Sequence, residues 1–305
     1  METVPCNLCG SDRAFPLLTG RDRQFDVGDS FSVSKCTKCG LVRVVPRPDE
    51  QEIGAHYLPE YHSAITTGHQ LQIEATGGLE QFAFNMIFKR RTPPFVPGGR
   101  ALDIGCAGGA YLVALRNLGW DVHGVELDQE AARLARERLG LDVRGGSADA
   151  VLKTFPDAYF DVVTMWHVLE HVFDPAKLLT EIRRILKPGG RFMFEVPNFN
   201  SLSRHLFRTY WFPLDLPRHL YHFDARTLEA MLTQAGFVSV QIKGVPAALA
   251  ATLSLQLVAN RLNGTPRGGS VAFNRPLLIG LFPFSLLLAR FNWSAHMAGE
   301  ARKSP

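Results

Sequence analysis

The chain has 305 residues, and its 46% hydrophobic content is enough for one large domain with a small additional module. Its formal net charge of +4 is modest for this length and does not by itself indicate a polyanionic partner. The sequence contains no internal repeat and no long low-complexity segment, so a repeat architecture is excluded.

Two matched CxxCG knuckles open the chain, with Cys6 and Cys9 in the first and Cys36 and Cys39 in the second. Thiolates two residues apart can face one ion, and four of them at this spacing predict a closed tetrahedral zinc ribbon. Because all four ligands are cysteines, no position is left for water, and the zinc is expected to be structural. A pair of disulfides is the alternative. The polar amino terminus lacks an apolar signal segment, which favours a reducing cytosol and therefore zinc.

The predicted ribbon covers residues 1–46 and is followed by a helical lid or linker over residues 47–99, whose clearest helix is Glu80–Arg91. Residues 1–50 contain seven Lys/Arg and seven Asp/Glu. Nucleic-acid binding needs a positive footprint, and this neutral segment does not supply one, so a nucleic-acid partner is not expected.

A glycine-rich turn follows the apolar run Ala101–Ile104, and helical spacing resumes at Leu112. Gly105 and Gly109 carry no Cβ, so the backbone can turn tightly there and approach a ligand. The dinucleotide fingerprint requires glycines at two places where this chain has alanines, including Ala107. The turn is therefore a poor host for a pyrophosphate.

The next two strand tips carry acidic or polar residues. Val122–Val125 is predicted as a strand with Glu126 at its tip, where a carboxylate can accept both ribose hydroxyls of a nucleotide. Asp128 is predicted to cap the helix Gln129–Leu139. Gly146 opens a short loop after the third strand.

The fourth strand is predicted over Asp161–Met165, and Asp174 followed by proline marks the start of the next helix. That helix is expected to stop at the breaker cluster 187–190, before a fifth strand over Arg191–Val196. The sixth strand is Phe237–Lys243, and the last is Ala295–Lys303.

An apolar helical insertion over residues 244–290 separates the last two strands. Residues 244–260 and 276–289 are uncharged, but neither stretch reaches the roughly 20 apolar residues of a spanning helix, and Pro283 interrupts the second. A buried hairpin over the pocket is one interpretation. Peripheral membrane contact, a dimer interface and a lid for an apolar substrate are the others.

Four motifs stand in a characteristic order: ALDIGCAGGAYL (101–112), VHGVELD (122–128), FDVVTMWHVLEHVFDP (160–175) and LKPGGRFMFEVPN (186–198). Together they resemble class I S-adenosylmethionine (SAM)-dependent methyltransferases. With the CxxCG knuckles and PRHLYHF (217–223), the chain resembles bacterial zinc-ribbon methyltransferases that modify sugars, polysaccharide precursors or secondary metabolites. The resemblance implies an α/β fold: a Rossmann-like, seven-stranded, mostly parallel sheet with helices on both faces over residues 100–305, plus the small zinc ribbon.

The resemblance also implies SAM as the cofactor. Asp103 would meet the ammonium group of its methionine part, the 147–149 loop would border adenine, and the segment before residue 99 would cross the mouth. The implied cofactor-binding residues are Asp103, Gly105, Cys106, Ala107, Gly109, Glu126, Leu127, Ser147, Ala148, Asp149, Trp166, Tyr57 and Tyr61. Surface capping is the alternative for Asp149, ordinary helix packing for the two tyrosines, and simple space-filling for Cys106. Ala107 departs from the glycine that is commonest in the family loop.

Methyl transfer from a sulfonium needs alignment of nucleophile and methyl group, which can contribute roughly 7–11 kcal/mol. An alcohol or carbon acid also needs a base, and histidine is best poised near neutral pH. His167 is the leading candidate because the family places the methyl group at this strand tip. Glu170 and His171 follow it, with helix capping as their alternative role.

The loop before the helix capped by Asp224 supplies a second set of candidates. His219 is a further catalytic candidate, and Arg218, His222 and Asn198 are predicted substrate-binding residues. The alternative for this loop is a structural anchor in which proline fixes the turn and histidine bonds to the backbone.

The sequence therefore predicts SAM-dependent methyl transfer to a small-molecule acceptor, such as a sugar, a polysaccharide precursor or a lipid-linked intermediate. The alternatives are an RNA-modifying methyltransferase and a catalytically silent SAM-binding scaffold. The expected location is the cytoplasm, with membrane association through residues 244–290 as an open alternative. The acceptor atom and the oligomeric state stay open.

Overall fold

The computed structural model describes residues 1–25, 28–58, 86–263 and 275–305. These residues form two β-sheets and the helices around them. The strands are β1 (Ala14–Gly20), β2 (Phe31–Cys36), β3 (Val42–Val44), β4 (Arg100–Ile104), β5 (Asp121–Glu126), β6 (Asp142–Gly145), β7 (Phe160–Trp166), β8 (Leu186–Pro197), β9 (Tyr221–His222), β10 (Phe237–Val245) and β11 (His296–Lys303).

The larger sheet has seven strands in the order β10-β11-β8-β7-β4-β5-β6. Strands β6, β5, β4, β7 and β8 are parallel, whereas β11 runs antiparallel between β8 and β10. This arrangement confirms the predicted seven-stranded, mostly parallel sheet and the antiparallel last strand. The carboxyl ends of its parallel strands meet at one edge, which is where ligands bind in open α/β sheets.

Helices connect the strands and cover the sheet. They are α1 (Ala110–Asn117), α2 (Gln129–Leu139), α3 (Ala148–Val151), α4 (Pro175–Ile185), α5 (Leu202–Phe207), α6 (Ala225–Gln234), α7 (Ala248–Leu262) and α8 (Arg275–Arg290). Short 3-10 turns occupy Ile53–His56, Leu152–Thr154, Leu169–His171, Arg208–Tyr210 and Phe212–Leu214, and residues 86–91 are also helical.

Side-chain caps fix where three of the helices begin, as the sequence predicts. Asp128 accepts hydrogen bonds from the backbone N–H groups of Glu130 and Ala131 at the start of α2. Asp174 accepts one from the backbone N–H of Lys177, and Asp224 forms a capping box at the start of α6. Each cap satisfies N–H groups that the helix itself leaves unpaired, at roughly 1 kcal/mol per cap.

One predicted boundary is wrong. The breaker cluster 187–190 was expected to separate α4 from a strand beginning at Arg191, but β8 already begins at Leu186. The pairing with β7 jumps from Phe160–Leu186 to Val162–Arg191, so the extra residues form an irregularity within the strand. A bulge can absorb residues that look like breakers, and a strand with one continues through them.

The core lies between the large sheet and its helices. The side chains of Leu178 and Ile182 on α4 and of Leu228 and Leu232 on α6 are fully buried against the sheet. Burial of each such side chain contributes about 1.5–3 kcal/mol relative to exposure. The strand tips that carry the polar residues are therefore held by a closely packed platform.

The smaller sheet has the order β1-β2-β3-β9 and includes the predicted ribbon. Its fourth strand comes from far along the chain, since Val42 pairs with His222 and Arg43 with Tyr221. The segment 1–46 therefore does not complete its sheet by itself. The predicted boundary at residue 46 stays a prediction, but the strand pairing ties the ribbon to the PRHLYHF segment.

The insertion forms the helix pair α7 and α8, which pack on each other and against β10. The interpretation as a buried hairpin does not match the exposure of its side chains, since Leu262 is 80% exposed and Leu287 53% exposed. Among the helices that the structure describes, none combines the length and apolar character that crossing a membrane requires.

Candidate active site

The glycine-rich loop between β4 and α1 has three residues in the left-handed backbone region. The φ angles of Gly105, Ala107 and Gly109 are +77°, +45° and +82°. A Cβ on Gly105 would lie 2.4 Å from Cγ2 of Val168, and one on Gly109 would lie equally close to a leucine methyl. Both positions therefore require glycine. The side chain of Cys106 is buried in the hydrophobic core, so it fills space and leaves only its backbone for a ligand.

Glu126 at the tip of β5 ties this loop to its own strand. Its Oε2 accepts a hydrogen bond of 2.8 Å from the backbone N–H of Ala107, and its Oε1 accepts one of 2.8 Å from that of Asp128. Each carboxylate oxygen has a further lone pair, so the group retains acceptor capacity for hydroxyl groups. Leu127, the next residue, is 68% exposed and lies beside this carboxylate in the chain.

Asp103 is a buried carboxyl group in β4. It is 2% exposed and accepts a 2.6 Å hydrogen bond from Oγ1 of Thr164. Burial raises the pKa of Asp103 to about 7, and the Thr164 hydrogen bond and the positive charge of Arg91 offset this only in part. A desolvated carboxyl of this kind is stabilised in its ionised form when a cation arrives. The position therefore fits the ammonium group of a ligand.

The loop after β6 lies against the β5 tip, because the backbone N–H of Gly146 donates to the carbonyl of Glu126. Ser147 is exposed, and Ala148 begins α3. One carboxylate oxygen of Asp149 is buried with no hydrogen-bond partner among the residues described, and burial raises the pKa of this group. An unpaired buried acceptor fits an amino group such as that of adenine. The glycine-rich loop, the two carboxylates at the strand tips and the unpaired oxygen of Asp149 therefore fit SAM.

The helical residues 86–91 lie across the strand tips. The guanidinium of Arg91 stacks over the ring of Trp166 at 4.8 Å from its centroid and bonds to Glu195 at 3.0 Å. Arg90 also bonds to Glu195, at 2.7 Å, and the hydroxyl of Tyr111 donates to the carbonyl of Arg91. Trp166 therefore lies beneath this segment at the tip of β7. The predicted cofactor contact Tyr61 lies outside the described residues.

All four predicted catalytic residues lie in one group, the histidine cluster, made of His167, Glu170, His171 and His219. His167 directly follows β7, and its neighbour Val168 packs on Gly105, so the cluster borders the cofactor loop. The φ angle of His167 is +58°, which is uncommon for a residue with a side chain and typical of functional sites.

His167 lies between two buried carboxylates. Its Nδ1 is 3.6 Å from Oε1 of Glu170, and its Nε2 is 3.3 Å from Oε1 of Glu195. Burial opposes protonation, but the two carboxylates outweigh it and raise the pKa of His167 to about 9. The imidazole is therefore protonated at neutral pH and pairs with both carboxylates.

Glu170 is the buried anion of the cluster. It is 1% exposed, and within the described part of the chain neither of its oxygens has a hydrogen-bond partner of normal geometry. Burial would raise the pKa of Glu170, but the facing histidines, His167 above all, lower it to about 2. Nε2 of His219 lies 4.0 Å from the same carboxylate. The predicted alternative role as a helix cap belongs to Asp174 instead, which accepts the N–H of Lys177.

His171 and His219 are each oriented by a backbone carbonyl. Nδ1 of His171 is 3.0 Å from the carbonyl oxygen of Arg218, and Nδ1 of His219 is 2.8 Å from that of Pro213. The rings lie 4.5 Å apart. Burial, with the neighbouring His219, lowers the pKa of His171 to about 4, so it is neutral at pH 7. The hydroxyl of Tyr57, predicted to contact the cofactor, lies 3.1 Å from Nδ1 of His171.

Two sets of side chains have the donor types of a divalent-cation site. The ligating atoms of Glu170, His171 and His219 lie within 4.8 Å of one another, and so do those of His167, Glu195 and His296. In the second set, Arg90 and Arg91 already pair with Glu195, and their positive charge disfavours a further cation.

Arg218 forms buried ion pairs within the protein. Its guanidinium is fully buried, with hydrogen bonds of 2.7 Å to Asp22, 2.9 Å and 2.5 Å to Asp215, and 2.9 Å to the carbonyl of His56. The two carboxylates raise the pKa of Arg218 above its usual value despite the opposing effect of burial. This placement favours the structural anchor over the predicted contact with substrate.

The other two predicted substrate residues are also buried. The Asn198 amide donates to the carbonyls of Asn292 and Ser294 at 3.1 Å each, which ties the tip of β8 to the exit of α8. His222 is in β9, its ring packs on Phe199, and burial lowers its pKa to about 3. Both side chains are therefore engaged in contacts within the protein.

Sequence reasoning missed Glu195, His296 and the paired arginines 90 and 91. Glu195 had a usable signal, because it is the one charged residue in the otherwise apolar run 192–196. His296 begins β11 and reaches the site only through strand pairing, with its ring 4.6 Å from that of His167.

The four knuckle cysteines converge. Their sulfur atoms lie within 4.8 Å of one another, with 3.5 Å between Cys6 and Cys39 and 3.5 Å between Cys9 and Cys36. All four are free thiols, and a disulfide would need about 2.0 Å. Zinc–thiolate bonds of about 2.3 Å give tetrahedral edges near 3.8 Å. The donor set therefore fits one zinc ion.

Comparisons with known proteins identify a methyltransferase domain in this chain. A family model described as a methyltransferase domain matches residues 79–242. The ubiquinone biosynthesis O-methyltransferase of Burkholderia pseudomallei is 32% identical over 187 residues, which are 57% of this chain and 80% of that protein. The enzyme of the same name from Thiobacillus denitrificans is 38% identical over 112 residues, and there the match spans 35% of this chain and only 47% of the relative.

Among solved structures, phosphoethanolamine N-methyltransferase 2 of Haemonchus contortus in complex with SAM superposes with a TM-score of 0.55 at 21% identity, covering 82% of this chain and 59% of that one. This likeness concerns the fold alone. The family match spans more than half of the chain and contains the glycine-rich loop and both flanking strand tips. The chain therefore belongs to the methyltransferase domain family and is a class I SAM-dependent methyltransferase.

Proposed function

We propose that the chain transfers a methyl group from SAM to an oxygen atom of a small acceptor with an acidic, phenol-like hydroxyl group. The observation that carries the proposal is the position of His167, which borders the cofactor loop and lies between the buried carboxylates of Glu170 and Glu195. A group with these two partners can hold the proton that such a hydroxyl gives up.

The cofactor is assigned to the strand tips of β4, β5 and β6. Asp103 receives the ammonium group, Glu126 the ribose hydroxyls, and Asp149 with Leu127 the adenine. Gly105 and Gly109 allow the backbone to approach. When bound, SAM supplies an electrophilic methyl group on a sulfonium centre, and the protein has mainly to align the acceptor with it.

His167 handles the proton in this proposal. Its pKa of about 9 lies close to that of a phenol, near 10, so proton transfer between the two is nearly balanced. Once protonated, the imidazolium stabilises the anionic acceptor oxygen by charge and by hydrogen bonding. A sugar hydroxyl is a much weaker acid and is matched less well, although sugars and polysaccharide precursors were the acceptors first expected from the sequence.

The relatives support an oxygen acceptor, since those compared are named O-methyltransferases of ubiquinone biosynthesis. A lipid-linked phenol combines that chemistry with the lipid-linked acceptor considered from the sequence. The zinc ion assigned to Cys6, Cys9, Cys36 and Cys39 is structural in this proposal. The four-stranded sheet of the ribbon includes β9, so the ribbon supports the loop before β9 that carries His219.

The test is methyl transfer from labelled SAM across an acceptor series of phenols, polyprenylated phenols and sugar nucleotides, measured from pH 6 to pH 10. We expect turnover of the phenols, with kcat/KM rising with pH to a plateau above about pH 9, where His167 is deprotonated. A His167→Gln variant should lose about 10²–10⁴-fold in kcat while binding S-adenosylhomocysteine normally.

A flat profile between pH 6 and pH 9 would instead assign the base to His171, whose pKa of about 4 leaves it neutral throughout that range. Turnover of sugar nucleotides alone would overturn the phenolic acceptor. Methylation of RNA alone would overturn the small-molecule acceptor altogether. Binding of S-adenosylhomocysteine, compared between wild type and Glu126→Gln, reports on the cofactor assignments separately from the acceptor.

A further inference from the structure

Helix α8 and the residues that follow it present a large apolar surface. Six residues define this hairpin face: Ile279, Phe284, Leu286, Leu287, Phe291 and Trp293. All are exposed, from 44% for Leu286 to 60% for Phe291. The opposite side of the hairpin is anchored, since the hydroxyl of Ser254 on α7 accepts the backbone N–H of Phe212. Single exposed leucines are ordinary on a protein surface, but a contiguous face of this kind marks an interaction site.

The chain segment that forms the hairpin face carries charges of one sign. Between Glu229 and Glu300 the sequence contains no acidic residue, while Lys243 and Arg290 are exposed beside the face. Lys243 lies near its aromatic end, because the adjacent Gly244 donates its N–H to the side chain of Asn292 at 2.6 Å. Leucine, phenylalanine and tryptophan beside basic side chains are the composition of helices that lie in a membrane interface.

A second copy of the chain is a poor partner for this face. In a two-fold symmetric dimer the same patch meets itself, so Lys243 and Arg290 of both copies would lie in one interface to which residues 230–299 contribute no acidic partner. An anionic lipid surface instead supplies both an apolar phase and negative charge. We propose that the hairpin face docks on a membrane that contains anionic lipids, with α8 lying in the plane of the interface.

Docking there would bring the active site to the lipid surface. The side chain of Asn198, at the tip of β8, holds the carbonyls of Asn292 and Ser294 on either side of Trp293. Three residues after Trp293, His296 reaches the ring of His167 at 4.6 Å. A lipid-linked acceptor would then reach His167 from the membrane interface. This consequence rests on the proposed function, whereas the docking itself does not.

Trp293 is a built-in reporter of docking. It is 56% exposed, whereas Trp120 and Trp211 are buried and Trp166 lies under Arg91. The full chain is mixed with vesicles of phosphatidylcholine alone or with phosphatidylglycerol, and emission and co-flotation are recorded. We expect a blue shift and co-flotation with phosphatidylglycerol vesicles, both weakened by salt, and neither with phosphatidylcholine alone. The shift should be absent in Trp293→Phe.

Two variants and a control complete the test. Lys243→Glu combined with Arg290→Glu should weaken vesicle binding by more than about tenfold, because each basic residue near the surface contributes about fivefold. Phe291→Ser should weaken it as well. Leu118→Ser, at an equally exposed leucine on the end of α1, should leave it unchanged.

Absence of co-flotation from wild type would overturn the proposal, as would equal binding of the charge-reversed variant. A concentration-dependent blue shift without vesicles, together with a dimer in light scattering, would assign the hairpin face to a second copy instead. Binding of S-adenosylhomocysteine is measured on every variant. Its absence from wild type would count against the proposed cofactor site, whereas wild type that binds it without floating would count against docking alone.

Discussion

The proposed cofactor edge and the proposed acceptor side of this enzyme are built in different ways. The cofactor edge comes from consecutive strand tips, and its parts lie within one run from Asp103 to Asp149. The acceptor side is assembled from segments far apart: His167 and Glu170 follow β7, Glu195 is in β8, His219 precedes β9, and His296 begins β11.

This difference has a structural consequence. The acceptor side is held partly by the ribbon, because β9 completes the ribbon sheet and Arg218 bridges Asp22 with Asp215. The proposed cofactor edge is held by contacts among β4, β5 and β6 and by Thr164 and Val168 from β7 and the loop after it, and none of these contacts involves the ribbon. We therefore expect changes in the ribbon to impair methyl transfer while leaving cofactor binding intact.

Loss of the zinc ion proposed at the four cysteines should have the largest effect. In a Cys39→Ser variant we expect zinc to be lost and the free energy of unfolding to fall by several kcal/mol, since structural zinc sites in small modules contribute on the order of 10 kcal/mol. Methyl transfer should be lost with it, because β9 and the loop of His219 lose their support. Metal content, denaturant unfolding and turnover measure the three effects.

Affinity for S-adenosylhomocysteine should stay within about twofold in the same variant, because distant sites without shared partners are nearly independent. Cys106→Ala is the control for metal content and should retain one zinc ion per chain, since Cys106 lies in the core of the large sheet. A zinc-free variant with full turnover would break the proposed link between ribbon and acceptor side.

Arg218→Met should have the next largest effect. The change leaves Asp22 and Asp215 buried without their shared cation, and breaking a buried ion pair in this way costs about 3–5 kcal/mol. Chemical denaturation measures the loss. Turnover should fall more than cofactor affinity, because His219 follows Arg218 directly.

Replacing the partners as well provides the matched control. Adding Asp22→Asn and Asp215→Asn to Arg218→Met removes the uncompensated charges and should recover part of the lost stability. If Arg218→Met is nearly neutral, the guanidinium does not anchor the loop, and its predicted role in substrate binding returns.

Asp103 should make cofactor binding depend on pH. Its folded pKa of about 7 lies above the ordinary value of 3.8, so the folded chain holds the proton more tightly, and the group's contribution to stability falls as pH rises from about 4 to about 7. The ligand's ammonium group prefers the ionised carboxylate. Affinity for S-adenosylhomocysteine should therefore rise about tenfold between pH 6 and pH 8.

Calorimetry in buffers of different ionisation enthalpy should also detect proton release on binding near pH 6. Asp103→Asn should bind more weakly and with little pH dependence. An unchanged pH profile in that variant would assign the titration to another group and remove Asp103 from the cofactor site.

The strand tip and the helix start within the proposed cofactor edge were predicted correctly, because these features are local. Glu126 and Asp128 were read from a strand followed by a helix start, and each is found at that place with backbone hydrogen bonds. The seven-stranded sheet that the family resemblance implied is also present.

The proposed acceptor side could not be predicted from the sequence, because strand pairing determines which of its residues come together. Glu195 faces Ala298 of β11 and Trp166 of β7 only through a register that a single sequence does not reveal. The addition of β9 to the ribbon sheet is equally non-local. The histidines were found as residue types suited to proton transfer, but their carboxylate partners depended on the fold.

The smallest predicted effect concerns Ala107, the alanine at a position where glycine is commoner in the family. Its φ of +45° is in the left-handed region, which costs a residue with a Cβ about 1–2 kcal/mol. Ala107→Gly relieves that strain but adds about 0.4–1 kcal/mol of unfolded-state entropy. We therefore expect a net gain in the free energy of unfolding between about 0 and about 1.6 kcal/mol.

Ala158 offers a matched control, because its φ is +52° in a surface turn away from the cofactor loop. Ala158→Gly should raise stability by a similar amount. Only Ala107→Gly should also alter affinity for S-adenosylhomocysteine, since glycine keeps the N–H that Glu126 accepts but makes the backbone that holds this N–H more flexible. If Ala107→Gly destabilises the protein by about 1 kcal/mol, as glycine does at ordinary positions, the loop is not held in the left-handed conformation. The close contact between Val168 and Gly105 would then be the main constraint on the cofactor edge.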